Sequence, residues 1–315
     1  MADKAVTIIF NPVSGSGRAR KLATRLDRAL AAMGLPTRLE PTARAGDGTR
    51  IARHREPESR AVMAVGGDGT IREVVAGLSC GETPLAVLPA GTSNVLALAL
   101  GLPRGPEKAA RMVAAGHTRQ LDLMEADRPG GQRERSLLFV GAGFGAEAVH
   151  RLHRGRRRRL ERGGSGNITK INYLPPILGA LRTLPPPALE VRVDGHPLPG
   201  GPWGWVIVTN IPKYAGNLVL DPAIRPDDGL LDVIALRADN PFNLARHAVA
   251  GFLGILHRVR DLGRACAARE VLIQARGEWP VQIDGDPAGR APLLVRCGEK
   301  KMPVLVPTPS PERKE

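Results

Sequence analysis

Cysteine is scarce in this chain, and so are aromatic side chains. Cys80, Cys266 and Cys297 stand far apart, without the paired spacing of zinc sites or disulfide frameworks. That excludes a small disulfide-stapled scaffold and fits buried thiols in a reducing cytoplasm. Aromatics make up 3% of the residues, too few for the stacking platforms that nucleic-acid readers use. No stretch approaches the roughly eighteen uninterrupted apolar residues of a membrane-spanning helix. The opening MADKAVTIIF is expected to begin a strand rather than a secretory leader, because its apolar part is short. Two familiar nucleotide motifs are missing as well. There is no GxxxxGK[ST], since Gly17 is followed by RARK, and GxGxxG fails at Arg20.

Positive charge, by contrast, is abundant. The net charge is +14, and arginine is densest at His150 to Arg162, HRLHRGRRRRLER. Each basic residue near an anionic leaflet contributes about 1 kcal/mol, so this run could hold the protein weakly on a membrane. A solvated face is an equal reading. Nucleic acid ranks behind both, because the run carries no stacking aromatic, and no nucleic-acid partner is expected.

The length of 315 residues, 43% of them hydrophobic, favours two domains with real cores. Short apolar runs alternate with helical patterns at first. Strands are expected at Val6 to Phe10, Thr37 to Pro41, Ala61 to Val65 and Leu85 to Leu88. The helices between them include one with Leu22, Leu26, Leu30 and Met33 on a single face. Others are expected at Thr49 to His54, after Thr70, at Ser93 to Leu100 and at Pro106 to Gly116. That alternation indicates a parallel α/β sheet. From Leu121 onward strands follow strands: Leu137 to Gly141, Leu189 to Val193, Trp203 to Thr209, Leu231 to Leu236, Val271 to Gln274, Val281 to Asp284, Pro292 to Val295 and Met302 to Val306. Turn dipeptides such as Asp194-Gly195 and Asp284-Gly285 separate them, which indicates an antiparallel β domain. One helix, Pro241 to Asp261, interrupts it; Leu244, Val249, Phe252, Leu253 and Leu256 are expected to pack it on the sheet. Gly155 to Asn167 reads as a mobile loop, and the tail after Pro307 as disordered.

The chemistry concentrates in three glycine-bearing loops, each following a strand: NPVSGSG (Asn11 to Gly17), GGDGT (Gly66 to Thr70) and PAGTSN (Pro89 to Asn94). Glycine lets the backbone turn tightly and approach a ligand. A helix N-terminus offers unpaired N–H groups to phosphate. In an open parallel sheet, ligands gather at the C-terminal ends of the strands, where all three loops fall. Backbone amides with Ser14, Thr70 and Thr92 would cradle the phosphates. Asp68 adds a carboxylate suited to a metal ion or a proton. Taken singly, GGDGT also spells a plain strand-to-helix turn with a structural Asp-Gly.

These motifs, in this order and spacing, resemble the diacylglycerol kinase catalytic-domain family, which includes bacterial lipid kinases and, more distantly, sphingosine and ceramide kinases. The resemblance continues through TNIPKY (Thr209 to Tyr214), Asp221-Pro222-Ala223 and DGLLDV (Asp228 to Val233), and covers nearly the whole chain. Asp284-Gly285-Asp286 falls where that family has DGE. The resemblance implies an NAD-kinase-like α/β domain over residues 1–122, an antiparallel β-sandwich lipid-substrate domain over 123–306 and a short tail, 307–315, with the nucleotide in the cleft between the domains. It implies ATP- and Mg²⁺-dependent phosphorylation of a lipid hydroxyl, most commonly diacylglycerol, by a cytoplasmic protein that visits the membrane surface through basic residues.

Carried over by motif position, the ATP contacts are Asn11, Ser14, Gly15 and Thr42; Gly66, Gly67, Asp68, Gly69, Thr70, Ile71 and Arg72 around the phosphates; and Thr92 with Asn94. A second Mg²⁺ position, implied to be structural, maps to Arg225, Asp228 and Leu230, while Asp68 takes the place of the residue that organises metal and phosphate. Asp286 takes the place of the proton-accepting glutamate, one methylene shorter. Asp68 acting directly, or a water relayed by Asp284, are the alternatives, and Asp-Gly is also a strong hairpin signal in its own right. The histidines His117, His150, His153 and His196 read as surface or loop residues. Asp122 reads equally as a metal-network or a capping residue. The rival functions are a NAD kinase, which shares GGDGT but typically carries an Asn-Glu pair not found after Asn94, and a nucleotide-binding regulator without catalysis. A homodimer through an exposed β edge stays open.

Overall fold

The computed structural model describes residues 4–162, 174–182 and 188–308. The chain divides into two compact units, Met1–Leu121 with Lys300–Glu315, and Asp122–Glu299. The sequence suggested a boundary one residue later and kept residues to 306 in the second domain. The chain in fact returns to the first unit from Lys300.

The first unit is built on four strands: β1 (Ala5–Phe10), β2 (Thr37–Pro41), β3 (Ser59–Gly66) and β4 (Leu85–Pro89). They lie in the order β2-β1-β3-β4, all parallel, so their C-terminal ends share one edge. Val6, Ile8 and Ile9 on β1 and the β3 run from Ala61 to Val65 are fully or almost fully buried. Strands covered on both faces read this way, as continuous apolar runs. Helix α1 (Arg18–Ala31) buries Leu22, Leu26 and Leu30 with Ala19 and Ala23, the i, i+4 stripe of an amphipathic helix. Met33 does not join that stripe: the helix stops at Ala31, and Met33 is left 42% exposed in the turn that follows. Helix α2 (Asp47–Arg55) is held at its start by Glu73, whose carboxylate accepts from the Gly46 and Gly48 N–H groups, each at 2.9 Å. Helices α3 (Asp68–Gly77), α4 (Val95–Ala99) and α5 (Pro106–Ala115) complete the unit, and α3 begins at Asp68 rather than after Thr70.

Strand β5 (Thr118–Arg128) leads into the second unit. There β6 (Gln132–Ser136) pairs with β5, and β7 (Phe139–Gly143) runs into the 18-residue helix α6 (Phe144–Glu161). The expected loop at Gly155 to Asn167 is therefore helical as far as Glu161, and 163–167 fall outside the described residues. Helix α7 (Leu174–Leu181) follows, with Ala180 buried beside Phe144, while Ile177 and Leu178 stay exposed. Next come β8 (Leu189–Val193), β9 (His196–Pro197), β10 (Trp205–Thr209), the small hairpin of β11 (Lys213–Tyr214) and β12 (Leu218–Val219), and β13 (Leu231–Leu236).

Helix α8 (Pro241–Phe252) is shorter than expected; a single 3-10 turn, Leu256–Arg258, comes after it. Leu244 and Leu256 are buried, but Val249, Phe252 and Leu253 are not, so only part of the expected packing face meets the protein. Strands β14 (Gly263–Ala268), β15 (Glu270–Ala275), β16 (Pro280–Ile283), β17 (Asp286–Arg290) and β18 (Leu293–Leu305) close the chain. The last is one continuous strand where two were expected, and the end of it pairs in parallel with β4 at Val304 and Leu85, inside the first unit.

Within the second unit one sheet runs β14-β13-β10-β7-β16-β17. The other antiparallel layer contains β18, β15, β8 and β9, with β5 and β6 joined to β18. Val206 and Val208, Val271 and Ile273, and Val281 and Ile283 meet in one core. Their period of two marks the inner faces of a β-sandwich.

Candidate active site

In the first unit the three glycine loops touch one another through backbone. A Cβ on Gly15 would collide with the Ala90 carbonyl oxygen, and one on Gly91 would stand 2.5 Å from the Gly67 Cα. Gly67 has Ser14 Oγ nearby as well. Such contacts admit no side chain, which is the physical reason for glycine at these positions. Gly15 and Gly17 also hold positive φ, 58° and 86°. The loops therefore form one surface at the C-terminal edge of the sheet, where α1 begins at Arg18 and α3 at Asp68. The first N–H groups of an α-helix have no partner within it and, with the dipole, favour an anion.

Each expected residue has a definite place there. Asn11 Oδ1 accepts from the Val13 N–H at 3.1 Å, shaping the first loop. Thr42 follows β2 and donates its N–H to the Phe10 carbonyl at 2.9 Å, which fixes it beside Asn11. Thr70 folds back over Gly66, and the Thr70 and Ile71 N–H groups bond the Gly67 carbonyl at 3.0 and 3.1 Å. The Ile71 side chain is in the core, so that residue faces a ligand only through its backbone. Arg72 is half-buried on α3, and Gly69 and Thr92 are exposed. Asn94 closes its own loop: its Oδ1 accepts from the Gly91 N–H at 2.9 Å and its Nδ2 donates to the Gly91 carbonyl at 2.8 Å. Asp68 Oδ1 accepts from the Val95 N–H at 2.8 Å, so its carboxylate ties the second loop to the third at the start of α4.

In the second unit, Asp284 and Gly285 form the two-residue turn between β16 and β17, both with positive φ, 50° and 85°. That is the type I′ geometry which Asp-Gly favours. The Asp284 carboxylate is buried and accepts from Ser136 Oγ (2.5 Å) and from the Phe139 (3.1 Å) and Leu138 (3.2 Å) N–H groups. It fastens the turn to the strand before α6. Asp286 follows, with its side chain 28% exposed, and His153 Nε2 of α6 stands 3.3 Å from its Oδ1. Burial lowers the pKa of His153, opposed by the Asp286 charge. His150, one turn earlier, is also lowered, first by burial; its Nε2–H donates to the Val281 carbonyl at 2.9 Å. These two histidines sit on a helix against the β16–β17 hairpin, not in a loop. Nothing in local spacing could reveal that His153 meets Asp286.

Asp122 is buried and anchors the DGLL turn. Its Oδ2 accepts from the Gly229 N–H at 2.6 Å, and its own N–H donates to the Pro226 carbonyl at 2.7 Å. Asp228 is exposed on that turn and accepts from the Leu230 N–H at 3.1 Å. Among the described residues no group of three or more His, Cys, Asp and Glu is placed to hold a metal. The side chains of Arg225 and Leu230 carry no oxygen, so those two residues have only carbonyls to offer. One exposed carboxylate with backbone oxygens suits Mg²⁺, which keeps several waters and is usually held by one or two carboxylates.

A parallel sheet carrying converged glycine loops is followed in this chain by a β-sandwich with a carboxylate–histidine pair at a hairpin. Residues 5–126 match the diacylglycerol kinase catalytic domain, and residues 139–306 match the YegS C-terminal NAD kinase beta sandwich-like domain. The chain belongs to this family of lipid kinases. A diacylglycerol kinase of Mycobacterium tuberculosis is 28% identical over 96% of this chain and 95% of its own length. A diacylglycerol kinase of Bacillus subtilis is 29% identical, with 92% of each chain covered. The crystal structure of a diacylglycerol kinase from Bacillus anthracis superposes with a TM-score of 0.69, at 20% identity, covering 98% of both chains. That last likeness concerns the fold.

Proposed function

We propose that this protein transfers the γ-phosphoryl group of ATP, with Mg²⁺, to a hydroxyl of a membrane lipid, diacylglycerol being the first candidate acceptor. The observation that carries the reading is the backbone-to-backbone convergence of three glycine loops at two helix N-termini. The activity named for the relatives supports the lipid acceptor, and the working place is the cytoplasmic face of a membrane.

In this reading the amides of Gly15, Gly67 and Gly69 and the hydroxyls of Ser14, Thr70 and Thr92 bind the phosphates. Asp68 keeps the second and third loops in register. Asp286 accepts the proton of the lipid hydroxyl as its oxygen bonds to the γ-phosphorus and the bond to ADP breaks. Neutral His153 orients that carboxylate from the side. Asp284 is committed to loop amides and stands outside the proton path. A structural Mg²⁺ would be held by Asp228 and the carbonyls of Arg225 and Leu230, and the Mg²⁺ that accompanies ATP would neutralise phosphate charge.

The test is a product scan. Purified protein with Mg²⁺ and γ-labelled ATP is given a total lipid extract in one arm and NAD⁺ in the other. Label in chloroform-extractable lipid supports the proposal. Label in NADP⁺ alone would make the protein a NAD kinase, and tight ATP binding with no labelled product would make it a regulator.

A further inference from the structure

Of the five phenylalanines in this chain, Phe10, Phe139 and Phe144 are buried. The other two are among the most exposed apolar side chains described: Phe242 is 76% exposed and Phe252 is 67% exposed. Both lie on α8. Val249, Leu253 and Ile255 are exposed with them, so five large apolar groups crowd one helix and the turn after it. The helix is not loosely attached. Leu244 and His247 are buried on its other side, and a Cβ on Gly251 would meet the Leu218 side chain at 2.6 Å. At 100° per residue, Phe242, Val249 and Leu253 fall within an arc of about 40°, away from the buried positions. The helix is thus apolar on the face that packs and largely apolar again, Arg246 apart, on a face whose side chains are exposed. Isolated apolar residues on a surface need no explanation, but a contiguous cluster does.

Basic residues outnumber acidic ones around this cluster, which the exposed Asp239 and Asp261 flank on either side. Residues 241–260 contain no Asp or Glu but do contain Arg246, Arg258 and Arg260. All three arginines are exposed. Arg246 is paired with Asp261, while Arg258 and Arg260 have no ion pair among the described residues. On α6, Glu147 pairs with Arg151 and Arg154, and Glu161 with Arg157, while the exposed Arg158 and Arg162 have no ion pair among the described residues and no large exposed aromatic beside them.

We propose that α8 and its C-terminal turn are the membrane-docking element of this protein. Phe242, Val249, Phe252, Leu253 and Ile255 enter the headgroup–acyl boundary of an anionic bilayer, and Arg258 and Arg260 meet lipid phosphates. An exposed aromatic-aliphatic helix face with a basic C-terminal flank is a composition that binds in the interfacial plane, and anionic lipid complements Arg258 and Arg260. The inference deepens the lipid-kinase reading and rests on it for biological sense, while its test uses neither ATP nor turnover.

The test is flotation of the full chain with vesicles of phosphatidylcholine alone or with phosphatidylglycerol added. The wild type is compared with Phe242→Ser/Phe252→Ser and with Arg258→Gln/Arg260→Gln. The wild type should float with the anionic vesicles. Removing the two phenyl rings should weaken binding about tenfold or more. The arginine pair should weaken it about fivefold per charge at low salt, with unaltered melting temperatures for both variants. Equal flotation of wild type and phenylalanine variant would overturn the proposal. So would light scattering in which that variant turns a dimer into a monomer while vesicle binding is unchanged, because the face would then be covered by a second copy. Vesicle binding as expected with no lipid phosphorylation would refute the kinase reading and leave the docking surface standing.

Discussion

His153 on α6 holds its Nε2 3.3 Å from Oδ1 of Asp286, the first residue of β17. In the proposed reaction Asp286 takes the proton, with the His153 imidazole set against its carboxylate. Replacing Asp286 with Asn should lower kcat by roughly 10²- to 10⁴-fold, the range for a general base, with little change in ATP affinity. His153→Asn should lower kcat less, by about tenfold, and leave the KM for ATP unchanged. Steady-state kinetics on the two variants checks both. An Asp286→Asn enzyme with full turnover would remove the base assignment.

The lowered pKa values of His153 and His150 give a pH dependence with a definite sign. Burial lowers the pKa of both imidazoles in the folded protein, whereas the unfolded chain takes up protons near the ordinary histidine value of about 6.5. Below that value the unfolded state binds more protons than the folded one, so stability rises with pH there and is lost as the pH falls. Denaturant titrations between pH 7.5 and 5.5, a range of about two units around that value, should show this slope. It should flatten in a His150→Asn/His153→Asn variant.

Asp284 should be a stability residue. Alanine there leaves the buried Leu138 and Phe139 N–H groups without their acceptor, a cost of about 3 kcal/mol. Asn keeps an acceptor and should cost less, with kcat within a few-fold of the wild type. A loss of turnover in Asp284→Asn as large as in Asp286→Asn would revive the water relay.

Gly91→Ala tests the nucleotide surface. The new methyl would stand 2.5 Å from Gly67 Cα, so the second and third loops must separate. Overpacking of this kind costs about 1–3 kcal/mol. ATP affinity, measured by calorimetry, should fall at least as steeply as stability does.

The parallel sheet and its glycine loops were readable because their signals are local: an apolar run, a glycine, then a helix stripe. The elements that escaped depend on distant partners. The end of α6 from Gly155 reads as a loop because a glycine and a row of arginines follow its short apolar face of Phe144, Ala146 and Leu152. Arginine is nevertheless a good helix former. Strand β14, Gly263–Ala268, has no alternation and exists because it pairs with β13. Strand β18 reads as two strands because its middle, Arg296 to Lys301, is polar, yet the backbone stays extended throughout. On α8 the apolar pattern places Val249 and Leu253 with Leu244 on one packing face, yet at 100° per residue they lie on the opposite side of the helix from it. His153 and Asp286 could be paired only by the fold.

The central claim is phosphoryl transfer to lipid with Asp286 as proton acceptor. It is tested most directly by incubating the protein with Mg²⁺, γ-labelled ATP and vesicles containing diacylglycerol, wild type beside Asp286→Asn, and counting chloroform-extractable label. The account predicts labelled lipid from the wild type and at least a hundredfold less, on the order of the general-base contribution, from a variant that still binds ATP. No labelled lipid from a folded, ATP-binding wild type, or equal label from both proteins, would contradict it.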